Sequence, residues 1–267
     1  MKKVKIFLNQ SISIMLSLII LFAGCKKSDV VSNGNFNKEF SDKSKYSNFI
    51  IYPTERELVA TYHNDILSEI VPNISLDSTN LNNQVRDLFL NLFDTAQNDI
   101  SYEDYETLIN SNPANIGDYI DNDAVFNLIK DSIETIGNNI YDINDIYDGL
   151  ADLESYAINN LSGDDEEAAL LMIAVSKKSA YYWLPTERGG SGEGYQFLLD
   201  YVDYSGNELL GAPNMGGLLT ADGVGAAWSF LLIGFLVVPT PVTLGALATV
   251  VGWKAAESSV FYLFSAF

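Results

Sequence analysis

The sequence contains one cysteine and one histidine among its 267 residues. One thiol cannot form an intrachain disulfide, and it is too few for a thiolate zinc site or an iron–sulfur cluster held within one subunit. Basic residues are also scarce, with 15 Lys and Arg against 35 Asp and Glu and a formal net charge of -20. Such an acidic surface repels phosphate backbones, so we expect no nucleic-acid partner. We also expect no metal and no cofactor.

Charged residues are missing from Ile6 to Phe22, directly after the lysines at positions 2, 3 and 5. A short basic segment followed by an apolar run that ends in small residues is the layout of a secretory signal peptide. The apolar run is short for a transmembrane helix, and it includes the polar residues Asn9 and Gln10. The pattern predicts a cleaved signal peptide over residues 1–24.

The residues Leu21-Phe22-Ala23-Gly24-Cys25 resemble the bacterial lipobox, in which a hydrophobic residue and two small ones precede a lipidated cysteine. Phe22 departs from the pattern, which usually has Leu there. The resemblance implies that Cys25 becomes the new N-terminus and carries a diacylglyceryl group and an acylated amine. Several acyl chains, at ~0.8 kcal/mol per buried CH₂, hold a protein firmly on a membrane. Cys25 is therefore the predicted lipidation site and the link to the membrane.

Lys26 and Lys27 follow Cys25. In the Gram-negative sorting rule that this resembles, the absence of Asp after the cysteine favours the outer membrane, on either its periplasmic or its exterior face. The segment from Ser28 to Ser47 is polar and has few large apolar residues, so it cannot offset its own ordering entropy. We predict that residues 25–52 form a lipidated, flexible tether.

Apolar residues recur at helical spacing through most of the remaining chain. They predict helices over residues 55–71, 79–96, 101–110, 121–136, 142–161 and 164–184. Gly137 is expected to close the fourth of these helices, because glycine favours helix ends. Residues 185–217 are expected to be loop-like, apart from a short helix or strand over 195–204. The predicted fold class is mainly α, with one helical bundle-like domain over residues 53–267.

The C-terminal part is unusually apolar. No charged residue occurs from Val224 to Val238 or from Val242 to Trp253, and Pro239-Thr240-Pro241 separates the two runs. Small residues recur at the four-residue spacing that lets helices approach closely, as in Gly223…Ala227 and Gly252…Ala256. The sequence predicts an apolar helical hairpin over residues 221–262.

This hairpin has two interpretations. It is either the central element of the bundle, wrapped by the amphipathic helices before it, or a segment that enters membranes. The second interpretation rests on a resemblance of residues 221–256 to the glycine-zipper segments of bacteriocin-like and pore-forming peptides. Burial by the upstream helices favours the first and an exposed stripe favours the second, judged at Phe230, Phe235, Leu236 and Val250.

The mature chain as a whole resembles bacterial lipoproteins that pair a Tyr-His-Asn helix, here Tyr62-His63-Asn64, with a glycine-zipper-like apolar tail. This resemblance implies a lipoprotein but no particular activity. His63 lies beside the apolar row of the first predicted helix. No second histidine or cysteine accompanies it as a metal ligand, and no sequence spacing supplies a nucleophile for it. We predict a structural role, with a hydrogen bond across helices.

Between Asp94 and Glu167 the sequence has nineteen acidic residues and one basic residue, Lys130. These carboxylates either cover the solvated faces of the helices or attract divalent cations or a basic partner. The segment Asp142–Gly149 approaches a calcium loop, but Ile146 and Tyr147 occupy its fifth and sixth positions. Those positions require an oxygen ligand and a glycine, so we predict no EF-hand.

Two further segments invite a functional interpretation. Tyr181, Tyr182 and Trp183 form either an aromatic platform for a sugar or peptide or, as we predict, core packing. The glycine-rich run of residues 189–194 has neither the Lys-Ser/Thr pair of a phosphate loop nor the spacing of a nucleophile elbow. We predict a flexible linker or mobile loop there.

The sequence thus predicts a non-catalytic, membrane-anchored lipoprotein of the cell envelope that binds a protein or a glycan. The alternative is a membrane-active protein that inserts the hairpin of residues 221–262. Hydrolysis through paired carboxylates is a third possibility that no motif supports.

Overall fold

Helices account for almost all of the chain that the computed structural model describes, which is residues 52–75, 81–95, 101, 103, 105–106, 124–139, 142–205, 215–236 and 244–265. Eight α-helices and no β-strand occur within these residues. The helices are α1 (Pro53–Ile70), α2 (Leu81–Thr95), α3 (Ala124–Asn139), α4 (Ile143–Asn160), α5 (Asp164–Trp183), α6 (Glu193–Ser205), α7 (Met215–Leu236) and α8 (Leu244–Ser265). Short 3₁₀ turns follow α1 and α5, at Val71–Asn73 and Thr186–Arg188. The predicted mainly α, bundle-like fold is confirmed.

Local chemistry explains where several helices begin. Pro53 occupies the first turn of α1, and the Glu55 side chain accepts a hydrogen bond of 2.7 Å from the backbone N–H of Tyr52. Asp142 caps α4 by accepting from the backbone N–H of Asn144 at 2.8 Å. The segment that approached a calcium loop is therefore the start of a helix. Four carboxylates lie in the first turn of α5, where they complement the helix dipole.

Four helices pack in a closed ring, namely α1, α5, α7 and α8. Helix α7 packs against α5 and α8, and α1 packs against both α5 and α8. Helix α3 covers another side of α7, while α4 packs on α3 and α5. These helices belong to one compact unit, residues 46–267. The three most central elements are thus α5 and the two apolar helices at the C-terminal end.

The described side chains of α7 and α8 are nearly all buried or half-buried. None of the side chains described in α7 is exposed, and Phe261 is the only exposed one described in α8. Phe230 and Val250, two of the four residues chosen to discriminate the interpretations of the hairpin, are buried. The side chains of Phe235 and Leu236 lie outside the described part. Within the described residues, no helix combines the length and apolar character needed to cross a membrane.

The helix boundaries differ from the predicted ones at two glycines. Helix α3 continues through Gly137 to Asn139, and α7 begins at Met215 and includes Gly216, a residue expected to lie in a loop. A side chain at Gly137 would overlap the backbone of Gly216, and one at Gly216 would overlap the carbonyl oxygen of Glu134. The two glycines let α3 and α7 touch, so tertiary packing outweighs their poor helix propensity.

The spaced small residues of the hairpin contact the surrounding helices as well as each other. A side chain at Gly225 of α7 would meet Ser258 of α8, which is a contact within the hairpin. One at Gly223 would lie 2.9 Å from the Ser176 hydroxyl of α5, and one at Gly252 would lie 3.3 Å from the backbone nitrogen of His63 in α1. Small residues therefore bring the hairpin close to both α1 and α5.

The glycine-rich run after α5 was predicted to be a flexible linker or mobile loop, and the structure shows a defined turn instead. The backbone N–H of Ser191 donates to the Tyr181 carbonyl at 2.7 Å, and that of Gly192 donates to Leu184 at 3.0 Å. Gly189 and Gly192 have positive φ angles of 87° and 78°, which glycine adopts without strain. Glycine is therefore needed at these two positions for the backbone geometry of the turn.

Candidate functional site

Three fully buried polar side chains meet at the centre of the helix ring. His63 on α1, Ser179 on α5 and Asp222 on α7 each have 0% relative exposure. The Ser179 hydroxyl donates to Asp222 Oδ2 at 2.5 Å. On the other side of the carboxyl group, His63 Nε2 lies 3.2 Å from Asp222 Oδ1, at ion-pair distance but without the alignment of a full hydrogen bond. We call His63, Ser179 and Asp222 the buried polar cluster.

The outer side of the His63 ring is held by a second polar pair. His63 Nδ1 lies 2.9 Å from Asn64 Oδ1, and Asn64 Nδ2 donates to the carbonyl oxygen of Lys178 at 2.9 Å. Because Asn64 uses its amide nitrogen toward Lys178, its oxygen accepts a hydrogen bond from Nδ1–H. Nε2, on the opposite side of the ring, faces Asp222 Oδ1.

The order of the three groups differs from that of a nucleophilic triad. In such a triad the histidine lies between the hydroxyl and the acid, so that it can remove the hydroxyl proton. Here the acid lies between Ser179 and His63, so the Ser179 proton points to a carboxylate that already contacts the histidine. Full burial also keeps a substrate away from Ser179 in this conformation. The arrangement is suited to joining three helices.

Sequence reasoning predicted a structural role for His63 with a hydrogen bond across helices; the structure places His63 Nε2 3.2 Å from Asp222 of α7, without the alignment of a hydrogen bond. Sequence reasoning did not predict Asp222 or Ser179 as members of the buried polar cluster. Asp222 stands immediately before the charge-free run that begins at Val224, and an acidic residue at the edge of an apolar segment was a usable signal. Ser179 gave no signal, because serine is common on all helix faces.

The aromatic residues at the end of α5 divide between core and surface. Tyr182 and Trp183 are buried and pack edge to face, with their ring centroids 4.8 Å apart. The Tyr182 hydroxyl donates to the carbonyl oxygen of Leu67 at 3.1 Å. Burial raises the pKa of the Tyr182 phenol well above its usual value, and the carboxylates of Glu193 and Asp222 add to the shift. The packing prediction is confirmed for these two residues, whereas Tyr181 is exposed.

Ion pairs connect α5 to the helices on either side. Lys178 Nζ lies 2.5 Å from Glu57 Oε1 of α1, and Lys177 Nζ lies 2.5 Å from Glu154 Oε2 of α4. Lys177 and Lys178 are thus paired with carboxylates of this chain. The exposed carboxylates of α3 and α4 include Asp131, Asp145, Asp148 and Asp152, and they give this part of the domain a strongly acidic surface.

A small apolar depression lies between α3, α5 and α7. Glycoside hydrolysis requires two carboxyl groups about 5 to 9.5 Å apart across a substrate cleft. Only Asp165 among the residues that line the depression is titratable; the others are Val125, Phe126, Ile129, Ala168, Ala169 and Leu231. This depression does not offer a carboxylate pair.

Comparisons with protein-family models, with curated proteins and with solved structures find no significant match to this chain. Among the side chains that are described, no group of three or more His, Cys, Asp or Glu residues is placed to hold a metal ion. The predicted lipidation site, Cys25, lies outside the described residues, as does the proline turn at 239–241. The fold and the buried polar cluster define a helical bundle with a polar centre.

Proposed function

We propose that this chain is a lipid-anchored, non-catalytic module of the bacterial envelope that binds a protein or a glycan. In this proposal residues 1–24 are the signal peptide, Cys25 carries the lipid, and residues 25–52 tether the helical domain. The lysines at positions 2, 3 and 5, the apolar run of residues 6–22 and the lipobox-like ending support it. The sorting rule favours the outer membrane.

The observation that carries the proposal is the burial of the C-terminal hairpin by the helices that precede it. Helices α7 and α8 pack against α1, α3 and α5, and Phe230 and Val250 are buried. A hairpin that served as a membrane anchor would be expected to show an exposed apolar stripe. Its packing in the core supports a domain that stays in water, which leaves the lipid as the attachment to the membrane.

The acidic face of α3 and α4 supports an interaction role. Its carboxylates point to a partner with a basic surface, since complementary charge raises the rate and specificity of association. The glycan alternative rests on Tyr181, which is exposed next to the half-buried Tyr147. The proposal of a non-catalytic role is supported by the order and full burial of the buried polar cluster.

Metabolic labelling with a clickable palmitate analogue tests the lipid anchor. Expressed with its own N-terminus in a Gram-negative host, the wild-type chain is expected to incorporate the label. Cys25→Ser is expected to lose it to background level, because the chain has no other cysteine. Ser28→Ala, three residues further along, is the matched control and should be labelled like the wild type. A wild-type chain without label, or an equally labelled Cys25→Ser variant, would contradict the proposal.

A further inference from the structure

The hairpin has an uneven distribution of charge. Asp222 is the only charged residue in the sequence of α7. In α8 the charged residues are Lys254 and Glu257, and they pair with each other, with Lys254 Nζ 3.2 Å from Glu257 Oε2. The α8 charges are therefore compensated within the hairpin itself. The Asp222 carboxylate is compensated by His63 of α1 and Ser179 of α5, which both lie outside the hairpin.

Apart from neutral hydrogen bonds such as the one between Tyr62 and Thr249, the other described contacts between the hairpin and its surroundings are mostly apolar or involve small residues. Tyr62 of α1 stacks on Trp253 of α8, with ring centroids 6.3 Å apart. Gly252 lies against the α1 backbone at Val59 and His63. Contacts of this kind are non-directional, and a lipid environment can replace them. The contact of Asp222 with His63 and Ser179 cannot be replaced in this way, because an unpaired carboxylate is costly in hydrocarbon.

We infer that the buried polar cluster retains the hairpin in the domain, and that disrupting the cluster releases the hairpin to bind and permeabilise lipid bilayers. This inference goes beyond the proposed function, in which the hairpin only forms the core. The released hairpin buries its apolar surface in the lipid instead of in the domain. The cluster acts as a conformational restraint, and its loss uncovers a second activity.

The position of α1 makes this restraint accessible to control. Helix α1 supplies His63 and packs on α8, and it is the first helix after the tether of residues 25–52. If the lipid anchor is present as proposed, α1 is the part of the described domain nearest in sequence to the membrane. Movement of α1 away from α5 and α8 would separate His63 from Asp222 and free the hairpin next to a bilayer.

Dye release from zwitterionic phosphatidylcholine vesicles tests the inference with the chain beginning at Lys26. That chain retains the whole compact unit of residues 46–267. Wild-type protein is expected to leave the vesicles intact. Asp222→Asn, which keeps the side-chain shape but replaces the carboxylate, is expected to raise the leakage rate at least about tenfold, because losing a buried polar partner shifts the opening equilibrium by that factor or more.

Two controls separate release of the hairpin from general instability. Leu150→Ala removes a fully buried side chain of α4, a helix that packs on α3 and α5. Ser176→Ala removes a buried hydroxyl that donates to the Leu219 carbonyl at 3.0 Å, in the same α5–α7 interface but outside the cluster. Controls and cluster variants are compared at equal thermal stability. Under that condition we expect the cluster variants to leak, and both controls to leak no faster than wild type.

Leakage confined to the cluster variants supports the inference. Equal leakage from Leu150→Ala, or intact vesicles with every variant, would overturn it. If Asp222→Asn does not fold, Ser179→Ala decides with the same assay, because it removes one hydrogen bond of the cluster and keeps the contact between Asp222 and His63. Leakage caused by the wild-type chain would overturn the proposed function as well, so the two failures are distinguishable.

Discussion

Replacing His63 with leucine is expected to lower the free energy of unfolding by about 3–5 kcal/mol, because the substitution leaves the fully buried Asp222 carboxylate without the polar ring nitrogen that faces it. Leucine fills a similar volume, so the loss comes from electrostatics and not from a cavity. For a domain of this size the midpoint of thermal unfolding should fall by roughly 6–20 °C. Urea unfolding followed by far-UV circular dichroism measures the effect.

The matched control is the double variant His63→Leu/Asp222→Asn. It removes the carboxylate charge together with its partner, and the amide oxygen at position 222 can still accept from Ser179. We expect this double variant to be more stable than His63→Leu alone by about 1–2 kcal/mol, and the Asp222→Asn single variant completes the cycle that gives the coupling between the two positions. A double variant that is less stable than the single one would show that the His63–Asp222 contact carries no charge compensation.

The second large effect is expected at Trp253, where truncation to alanine should lower the free energy of unfolding by about 3–5 kcal/mol. Trp253 is fully buried on α8 and lies at the centre of an aromatic group. Its ring meets Phe93 edge to face at 4.7 Å and Phe89 at 6.1 Å, while Tyr62 stacks at 6.3 Å. This group joins the hairpin to α1 and α2, so the stability lost on truncation measures how strongly the hairpin is held in the core.

Trp228→Ala is the control for the loss of an indole from the hairpin. Trp228 of α7 is half-buried, and the Lys254 ammonium lies 5.9 Å from its ring centroid. Its truncation should cost clearly less, about 1–2 kcal/mol. If Trp228→Ala proved as destabilising as Trp253→Ala, the aromatic group around α8 would not be the attachment of the hairpin that we describe.

Much of the fold follows from helical periodicity. The predicted helices over residues 55–71, 79–96, 142–161 and 164–184 correspond to α1, α2, α4 and α5 within a few residues. Of the helix predicted over 101–110, residues 103, 105 and 106 are helical and most of the rest lies outside the described part. The segments of α1, α2 and α4 were predictable because their apolar residues repeat with the period of a helix that has one buried face. Helix α5 is buried on almost every side, and the carboxylates of its first turn marked its start.

The glycines show where this reasoning stops. Gly137 and Gly216 were expected at a helix end and in a loop, and both lie inside helices at the close contact of α3 with α7, where a side chain at either position would overlap the other helix. A local pattern carries no information about which distant residue will be the neighbour. The turn at residues 189–192 has the same origin, because its hydrogen bonds go to carbonyls at the end of α5.

The buried polar cluster was only partly predictable for the same reason. A lone histidine beside an apolar row indicated a partner on another helix, but nothing in the local sequence connects position 63 with positions 179 and 222. Those residues become neighbours only when α1, α5 and α7 close the ring. The Tyr181–Trp183 segment was easier to interpret, since two of its three aromatic residues share the buried face of α5.

The most direct test of the central claim, that the apolar hairpin is the core of a water-borne domain, is the behaviour of the chain beginning at Lys26 without detergent. Size-exclusion chromatography with light scattering and dye release from phosphatidylcholine vesicles should be run on the same preparation. We predict a helical monomer that leaves the vesicles intact. A chain that requires detergent to stay in solution, or that releases the dye, would contradict the claim and would favour the hairpin as a membrane-inserting element.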